Sequence, residues 1–267
     1  MTKSEDFSPE KNNSIACRRT GTGPAVLLIH GFGEDQHVWD TLVPELEKAN
    51  TLLIPDLPGT GSSPAISDMS IDGMADSLLS IFPEEPITVI GHSMGGYIAL
   101  ALLEKYPDRL NSLGLLHSTS YADTEEKKAS RRKGIEFINQ HGAFEFLKTS
   151  IPNLFSPLSK QKMAEGIHNF IQQQRNLTAE TLVSYYEAMI GRPDRRQLLK
   201  NTDKPILFIM GKYDVAVPFS DGLAQCHLPG ISYIHILRRS GHMGMMEEAE
   251  TVKIAMKNFL FQVQSHQ

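Results

Sequence analysis

The chain has little of several features that would assign it to a specialised class of protein. Only two of its 267 residues are cysteines, Cys17 and Cys226, and they lie far apart without metal-ligand spacing. Basic residues are not in excess: the net charge is -5, which does not indicate a groove for nucleic acid. No apolar run approaches the roughly 20 residues of a membrane-spanning helix. These absences predict two idle thiols and neither a nucleic-acid nor a membrane partner.

The polar beginning of the chain indicates where the protein resides. Residues 1–13 have no apolar h-region, so they predict a flexible leader and no secretory signal. Together with the isolated cysteines, this favours a cytoplasmic location, although a Gram-negative periplasm stays open. The later basic run 131–133 has Glu125 and Glu126 nearby, which favours a solvated helix face.

Strand and helix patterns alternate along most of the chain. Continuous apolar runs predict strands at 25–30, 51–55, 87–91, 110–117, 204–211 and 231–237. Apolar residues at helical spacing predict helices at 36–49, 94–106 and 219–226, and a closing helix that carries Val252, Met256, Phe259 and Leu260 on one face. This alternation is typical of a mostly parallel, doubly wound α/β sheet.

The alternation stops between residues 118 and 200. That segment is charged and rich in helix-forming residues, without a convincing strand. It predicts a helical cap inserted at 118–200 into a core formed by 14–117 and 201–262.

A serine stands where a strand turns into a helix. Gly91-x-Ser93-x-Gly95 separates the strand at 87–91 from the helix at 94–106, which is the context of a nucleophile elbow. The glycines provide room and permit unusual backbone angles. The pattern alone is weak evidence, since a surface serine in an ordinary strand–turn–helix would show the same sequence. Its position between a clear strand and a clear helix favours a nucleophile.

A serine nucleophile needs a base and a group that orients the base. Asp214 and His242 each follow a predicted strand, at the same sheet edge as Ser93. Asp123 is the competing acid, several residues later than expected after its strand. Three other histidines can in principle act as the base, but we interpret them as packing or supporting residues: His30, His92 and His117.

A place for the oxyanion is the last requirement. The segment His30–Gly33, "HGFG", follows the first long strand, where one backbone N–H is expected to join the N–H after the nucleophile. These are the amides of Phe32 and Met94. A simple glycine turn is the alternative explanation of "HGFG".

Five segments resemble the α/β-hydrolase superfamily in their order along the chain: "LLIHGFGEDQHVW", "DLPGTGSSP", "GHSMGGYIA", "GKYDVAVP" and "SGHMGMMEE". The resemblance implies an α/β-hydrolase fold, with Ser93 as nucleophile, His242 as base and Asp214 as acid. It implies no cofactor and no metal. A serine at the elbow differs from the aspartate of dehalogenases and epoxide hydrolases of this fold.

The expected reaction is hydrolysis of a small, fairly apolar carboxylic ester through an acyl-enzyme. We expect Gly31, Tyr97 and Met243 in the substrate pocket. Apolar cap residues such as Phe146 and Leu154 either line the same pocket or belong to the ordinary core. The alternatives are a lyase or acyltransferase, such as the menaquinone-pathway lyases of this fold, or a slow-turnover sensor of a small molecule. Tyr97 stands where those lyases tend to have an arginine. Either a monomer or a homodimer is compatible with the sequence.

Overall fold

Seven strands form one sheet in the computed structural model of the protein, which describes residues 15–265. The strands are β1 (Cys17–Thr20), β2 (Ala25–Ile29), β3 (Thr51–Pro55), β4 (Ile87–His92), β5 (Leu110–Leu116), β6 (Ile206–Gly211) and β7 (Ser232–Leu237). Their order is β1-β3-β2-β4-β5-β6-β7, and every neighbouring pair is parallel except β1 with β3. The leader predicted at 1–13 lies outside the described residues.

Helices cover both faces of the sheet and fill the long connection between β5 and β6. They are α1 (Val43–Leu46), α2 (Ile71–Leu78), α3 (Met94–Lys105), α4 (Glu125–His141), α5 (Ala143–Ser150), α6 (Pro157–Lys162), α7 (Ala164–Gln173), α8 (Ala179–Gly191), α9 (Arg196–Asn201), α10 (Phe219–Gln225), α11 (Gly244–Glu247) and α12 (Ala249–Ser265). Among residues 15–265, no helix has both the length and the apolar character that crossing a bilayer requires.

The central strands are buried on both faces, which explains their continuous apolar sequences. In β2, Val26 and Leu28 belong to the apolar core on one face, whereas Leu27 and Ile29 belong to the core on the other. Side chains of a strand alternate between faces, so one run of four apolar residues supplies both cores. The predicted doubly wound sheet is confirmed.

The helix predicted at 36–49 is wrong. The structure has a short 3-10 helix at Gln36–Trp39 and the separate α1 at Val43–Leu46. Pro44 explains the break, because it has no N–H to donate to the Asp40 carbonyl and its ring would clash with that carbonyl in a continuous helix, whereas a proline is tolerated in the first turn of α1. Val38, Leu42 and Leu46 are nevertheless buried together, so the apolar spacing indicated burial correctly.

Two elements were not predicted from the sequence. Strand β1 is short and polar, and it exists because it pairs with β3 at the sheet edge. Helix α2 contains Gly73, a poor helix former, and is stabilised at its start by Ser70, whose hydroxyl accepts a hydrogen bond from the Gly73 N–H. Neither element has a strong local pattern.

Helices α4 to α9 form the inserted region, which lies over the loops at the carboxyl ends of the strands. Two hydrogen bonds attach α8 to the loop after β3: the buried Tyr185 hydroxyl donates to the Pro58 carbonyl at 2.9 Å, and the Thr181 hydroxyl donates to the Gly59 carbonyl at 3.1 Å. An inserted helical region between β5 and β6 is therefore confirmed. Its division from the core at residues 118 and 200 stays a prediction.

Candidate active site

Ser93 occupies a strained corner between β4 and α3. Its backbone has φ +51° and ψ -115°, a region that non-glycine residues rarely adopt. The corner is tight because a Cβ on Gly91 would lie 2.2 Å from the Gly95 carbonyl oxygen, and a Cβ on Gly95 would lie 2.3 Å from the Ile29 carbonyl oxygen. Such strain is maintained at functional sites, where it presents a side chain.

Asp214 follows β6 and is saturated with hydrogen-bond donors. Its Oδ1 accepts from the Ala216 and Val217 N–H groups at 2.9 and 2.8 Å, and its Oδ2 accepts from His242 Nδ1 at 2.8 Å and His117 Nδ1 at 3.1 Å. Burial alone would raise the pKa of Asp214, but the His242 charge and the histidine hydrogen bonds hold that pKa well below its usual range. Asp214 is therefore an ionised, fixed acceptor.

His242 lies in the loop after β7 and faces the same cavity as Ser93. The backbone N–H of His242 donates to the Leu154 carbonyl at 2.6 Å, which attaches this loop to the inserted region. With Nδ1 directed to Asp214, its Nε2 is left for a proton from another group. No hydrogen bond joins the Ser93 hydroxyl to His242 within residues 15–265, a contact that often tightens only when substrate binds.

His117 is a second histidine on the same carboxylate. Its Nε2 accepts from the Gly244 N–H at 3.2 Å, so Nδ1 carries the proton and donates to Asp214. Burial lowers the pKa of His117, which keeps the ring neutral. His117, Asp214 and His242 each have a nitrogen or oxygen atom that could bind a metal ion, and these three atoms lie within 4.8 Å of one another. The Nδ1 atoms of His117 and His242 each donate a proton to Asp214, so we interpret this cluster as a hydrogen-bonded network.

A buried ion pair lies beside Ser93, the candidate nucleophile. His92 Nδ1 is 3.0 Å from Glu34 Oε2, and its Nε2 is 3.0 Å from the His242 carbonyl oxygen. Both partners accept, so His92 carries two protons and a positive charge. Burial lowers the pKa of His92, but Glu34 outweighs it and the pKa is raised, while His92 lowers the pKa of Glu34 against its burial. Glu34 Oε2 also accepts from the Gly31 N–H at 2.6 Å.

Two backbone N–H groups next to Ser93 have no acceptor within residues 15–265. Met94 begins α3, so its N–H lacks an intrahelical partner, and the Phe32 N–H lies in the turn after β2. This turn lies close to Ser93, because a Cβ on Gly31 would lie 3.1 Å from the Ser93 Cβ. His30 stabilises the turn region by accepting from the Leu57 N–H at 2.9 Å.

A cavity of about 340 Å³ contains the candidate nucleophile and base. Its walls combine residues of the sheet edge with residues of the inserted helices. The lining residues are Phe32, Glu34, Ser93, Tyr97, Lys127, Ser130, Arg131, Leu154, Tyr186, Met189, Val215, Ala216, Val217 and His242. Phe32 stacks on Tyr186, with ring centroids 4.3 Å apart, so the inserted region forms the roof of the cavity.

The structure places the predicted pocket residues differently from one another. Tyr97 and Leu154 line the cavity. Gly31 and Met243 do not line it: the Gly31 N–H is directed to Glu34, and the Met243 side chain is buried in the apolar core. Phe146 makes an edge-on contact with the Phe32 ring, behind the cavity wall, at 6.3 Å between centroids.

The prediction of a solvated basic face at 131–133 is wrong for its first residue. Arg132 and Lys133 are exposed, but the Arg131 side chain is only 14% exposed, lines the cavity and pairs with Asp123. Asp123, the competing acid, is therefore committed to Arg131 and lies outside the histidine network. Lys127, one helical turn before Arg131, also lines the cavity and was missed. Their spacing of four residues on one helix was the available signal.

Comparison with known proteins agrees with this geometry. Residues 24–135 match the family model of the alpha/beta hydrolase fold. A pimeloyl-[acyl-carrier protein] methyl ester esterase from Neisseria meningitidis is 30% identical over 244 residues, which cover 88% of this chain and 93% of that protein. The chain belongs to the alpha/beta hydrolase family.

Solved structures extend the comparison to the whole fold. A thermophilic esterase from Thermogutta terrifontis, solved with malate bound, has 30% identity and a TM-score of 0.87, with 93% of each chain covered. An enol-lactonase from Burkholderia xenovorans has 20% identity and a TM-score of 0.85 over 92% of this chain and 96% of its own, which shows the shared fold. This alpha/beta hydrolase is an esterase-like enzyme that acts on ester bonds.

Proposed function

We propose that this alpha/beta hydrolase cleaves carboxylic esters through an acyl-enzyme on Ser93, with His242 as base and Asp214 as orienting acid. One observation carries the proposal. The His242 Nδ1–H is bound to an ionised Asp214, and both His242 and Ser93 line the same cavity. This arrangement fixes the tautomer that a general base requires.

The reaction follows from these positions. As the Ser93 oxygen forms a bond to the ester carbonyl carbon, its proton passes to His242 Nε2. Collapse of the tetrahedral intermediate breaks the bond to the alcohol oxygen, which takes that proton. A water molecule then gives a proton to His242 and attacks the acyl carbonyl, releasing the acid and regenerating the Ser93 hydroxyl.

The Phe32 and Met94 N–H groups are the proposed oxyanion donors. Both lack an acceptor in the described chain, and Met94 also lies at the positive end of the α3 dipole. Donors directed at a developing oxyanion contribute about 3–4 kcal/mol each in serine hydrolases. We assign them the stabilisation of both tetrahedral intermediates.

The size of the cavity supports a small acyl group. Its volume of about 340 Å³ is at the lower end of ligand pockets, and Phe32, Leu154, Met189 and Val217 provide apolar walls. The Neisseria relative is named for a methyl ester, which has a small alcohol group. For this chain we propose an ester in which both the acyl and the alcohol parts are short.

Steady-state hydrolysis of p-nitrophenyl esters from acetate to laurate tests this function. We expect turnover that is highest for short acyl chains and falls by several orders of magnitude in Ser93→Ala. Ser130→Ala is the matched control, because Ser130 lines the same cavity from α4. Turnover that survives in Ser93→Ala would refute the nucleophile. A folded wild-type protein that hydrolyses no ester would favour the lyase, acyltransferase or sensor alternatives.

A further inference from the structure

Two cations of α4 face the cavity of the proposed active site. Lys127 and Arg131 are four residues apart, so they lie on the same side of the helix, and both line the cavity together with Ser93 and His242. The neighbouring Arg132 and Lys133 are exposed to solvent instead. Charged side chains are rarely withdrawn from water without a partner, so this placement needs an explanation.

Lys127 has no acidic partner. Its ammonium donates to the Ala216 carbonyl at 2.7 Å, and no carboxylate within residues 15–265 comes within 4.0 Å of it. An ammonium has three donors, so two remain for a ligand. A cation that is half-buried beside a cavity, with a backbone carbonyl as its acceptor, is a suitable partner for an anionic ligand.

Arg131 is only partly neutralised. Its Nε and Nη2 donate to Asp123 at 2.6 and 3.4 Å, but Asp123 is shared with Arg192, whose Nη2 lies 2.9 Å from the same carboxylate. Two guanidinium groups on one carboxylate leave a net positive charge. The Nη1 of Arg131 has no acceptor within the described chain, so its N–H groups are also available.

The other polar groups of the cavity do not cancel this charge. Among residues 15–265, Glu34 is the one acidic residue that lines the cavity, and its charge is paired with the His92 imidazolium. Tyr97 and Tyr186 also line the cavity, and their hydroxyl groups make no hydrogen bond to residues 15–265. The wall formed by α4 and its neighbours is therefore positive and rich in donors.

We propose that Lys127 and Arg131 form an anion-binding subsite, and that the preferred ester carries a carboxylate at the end of its chain remote from the scissile bond. The inference rests on the proposed ester hydrolysis and specifies its substrate class, the half-esters of short dicarboxylic acids. A carboxylate satisfies the free donors of both cations, whereas an alkyl chain end would desolvate them without compensation.

Matched substrates test the subsite. The monomethyl esters of succinic, glutaric and adipic acid are compared with methyl esters of monocarboxylic acids of equal chain length. We expect kcat/KM of the wild type to favour the best half-ester by roughly tenfold or more, as for a hydrogen bond to a charged group. Equal values for charged and neutral esters, or a preference for the neutral ones, would overturn the proposal.

Variants identify the residues responsible. Lys127→Gln retains a donor for the Ala216 carbonyl and leaves the Asp123 pair intact, so it is expected to fold. It should lower the ratio of kcat/KM for the half-ester to kcat/KM for the neutral ester roughly tenfold. Lys133→Gln, an exposed site on the same helix, is the control and should change neither. An equal loss for both substrates in Lys127→Gln would refute a charge-specific role.

A binding measurement separates this proposal from the proposed function. Glutarate is titrated by calorimetry into Ser93→Ala, alone and combined with Lys127→Gln or Arg131→Lys. We expect binding that weakens roughly tenfold with Lys127→Gln and less with Arg131→Lys, which keeps the charge. If glutarate binds but the wild-type protein hydrolyses no ester, the anion-binding subsite is supported and the proposed ester hydrolysis is refuted. If the wild type hydrolyses neutral esters but glutarate does not bind, the ester hydrolysis is supported and the anion-binding subsite is refuted.

Discussion

Replacing Glu34 by glutamine tests the buried ion pair that Glu34 forms with His92 beside Ser93. In the wild type, one oxygen of Glu34 accepts from both His92 Nδ1 and the Gly31 N–H, and His92 Nε2 donates to the His242 carbonyl. Glutamine is nearly the same shape but carries no charge. The substitution therefore changes the protonation of His92 without opening a cavity.

An amide cannot reproduce all three hydrogen bonds. If its oxygen accepts from Gly31 and His92, a neutral His92 has its only proton on Nδ1, and Nε2 faces the His242 carbonyl without a proton. If the amide nitrogen faces His92, it also takes the place of the oxygen that accepts from the Gly31 N–H. The amide N–H and the Gly31 N–H are then two donors without an acceptor between them. One charge-assisted hydrogen bond is lost in either case, which costs about 1.5–3 kcal/mol of unfolding free energy.

The expected loss is measurable as a shift in Tm. For a domain of this size each kcal/mol lowers Tm by roughly 2–4 °C, so we expect Glu34→Gln to lower it by about 3–12 °C. Glu136→Gln is the control, because Glu136 is exposed on α4 and forms no ion pair within the described residues. Glu34→Gln should also lower kcat, because the contacts that it removes position His242 and the turn that carries Phe32.

The pH dependence identifies the ion pair as the cause. The folded-state pKa of His92 is raised, so its contribution is present below about pH 6.5 and is lost as the pH rises through the raised value. The folded-state pKa of Glu34 is lowered, so its contribution is present above about pH 4.5 and is lost as the pH falls through the lowered value. Differential scanning calorimetry should show the largest difference in Tm at about pH 5.5 and a smaller one at alkaline pH. A difference below about 1 °C at pH 5.5, or one unchanged at alkaline pH, would refute the charged pair.

Three further substitutions test the site. Asp214→Asn should lower kcat for a p-nitrophenyl ester by roughly 10⁴-fold, because an amide does not fix the required histidine tautomer, while circular dichroism stays unchanged; full activity would contradict the assignment. His117→Asn should lower kcat by less than about tenfold, because it removes one of four donors to Asp214 and the others remain; a loss as large as that of Asp214→Asn would mean that His117 has a larger part. Gly91→Ala should cost more than about 3 kcal/mol in urea denaturation, because its Cβ would lie 2.2 Å from the Gly95 carbonyl oxygen; wild-type stability would show that the corner can relax.

Much of the fold could be predicted because its determinants are local. Strands β2 to β7 are short apolar runs with turn residues around them, and such runs are recognisable wherever they occur. The elbow at Ser93 is likewise local, since its glycines and the adjoining strand and helix are consecutive. The position of Asp214 and His242 after β6 and β7 brought them to one edge once a parallel sheet was assumed.

Other features depend on partners that are distant in sequence. Strand β1 forms because β3 offers an edge, and its own residues show no strand pattern. The break in the helix predicted at 36–49 is different, because its cause, Pro44, is local and was outweighed by the apolar periodicity in the prediction. His117 and His242 share Asp214 because β5, β6 and β7 are neighbours, which makes a supporting histidine visible only after folding.

The sequence by itself determined the central strands of the sheet, the strained corner at Ser93 and the placement of Asp214 and His242 at the same sheet edge, because each is encoded by residues next to one another or by the ends of strands. Only the tertiary structure decided the electrostatic character of the cavity. A basic run in a helix predicts a solvated face when read alone, but the packing of α4 over the sheet edge directs Lys127 and Arg131 inward. The charge of His92 depends equally on Glu34, 58 residues away, because burial and proximity, which determine how a charge behaves, are properties of the folded chain.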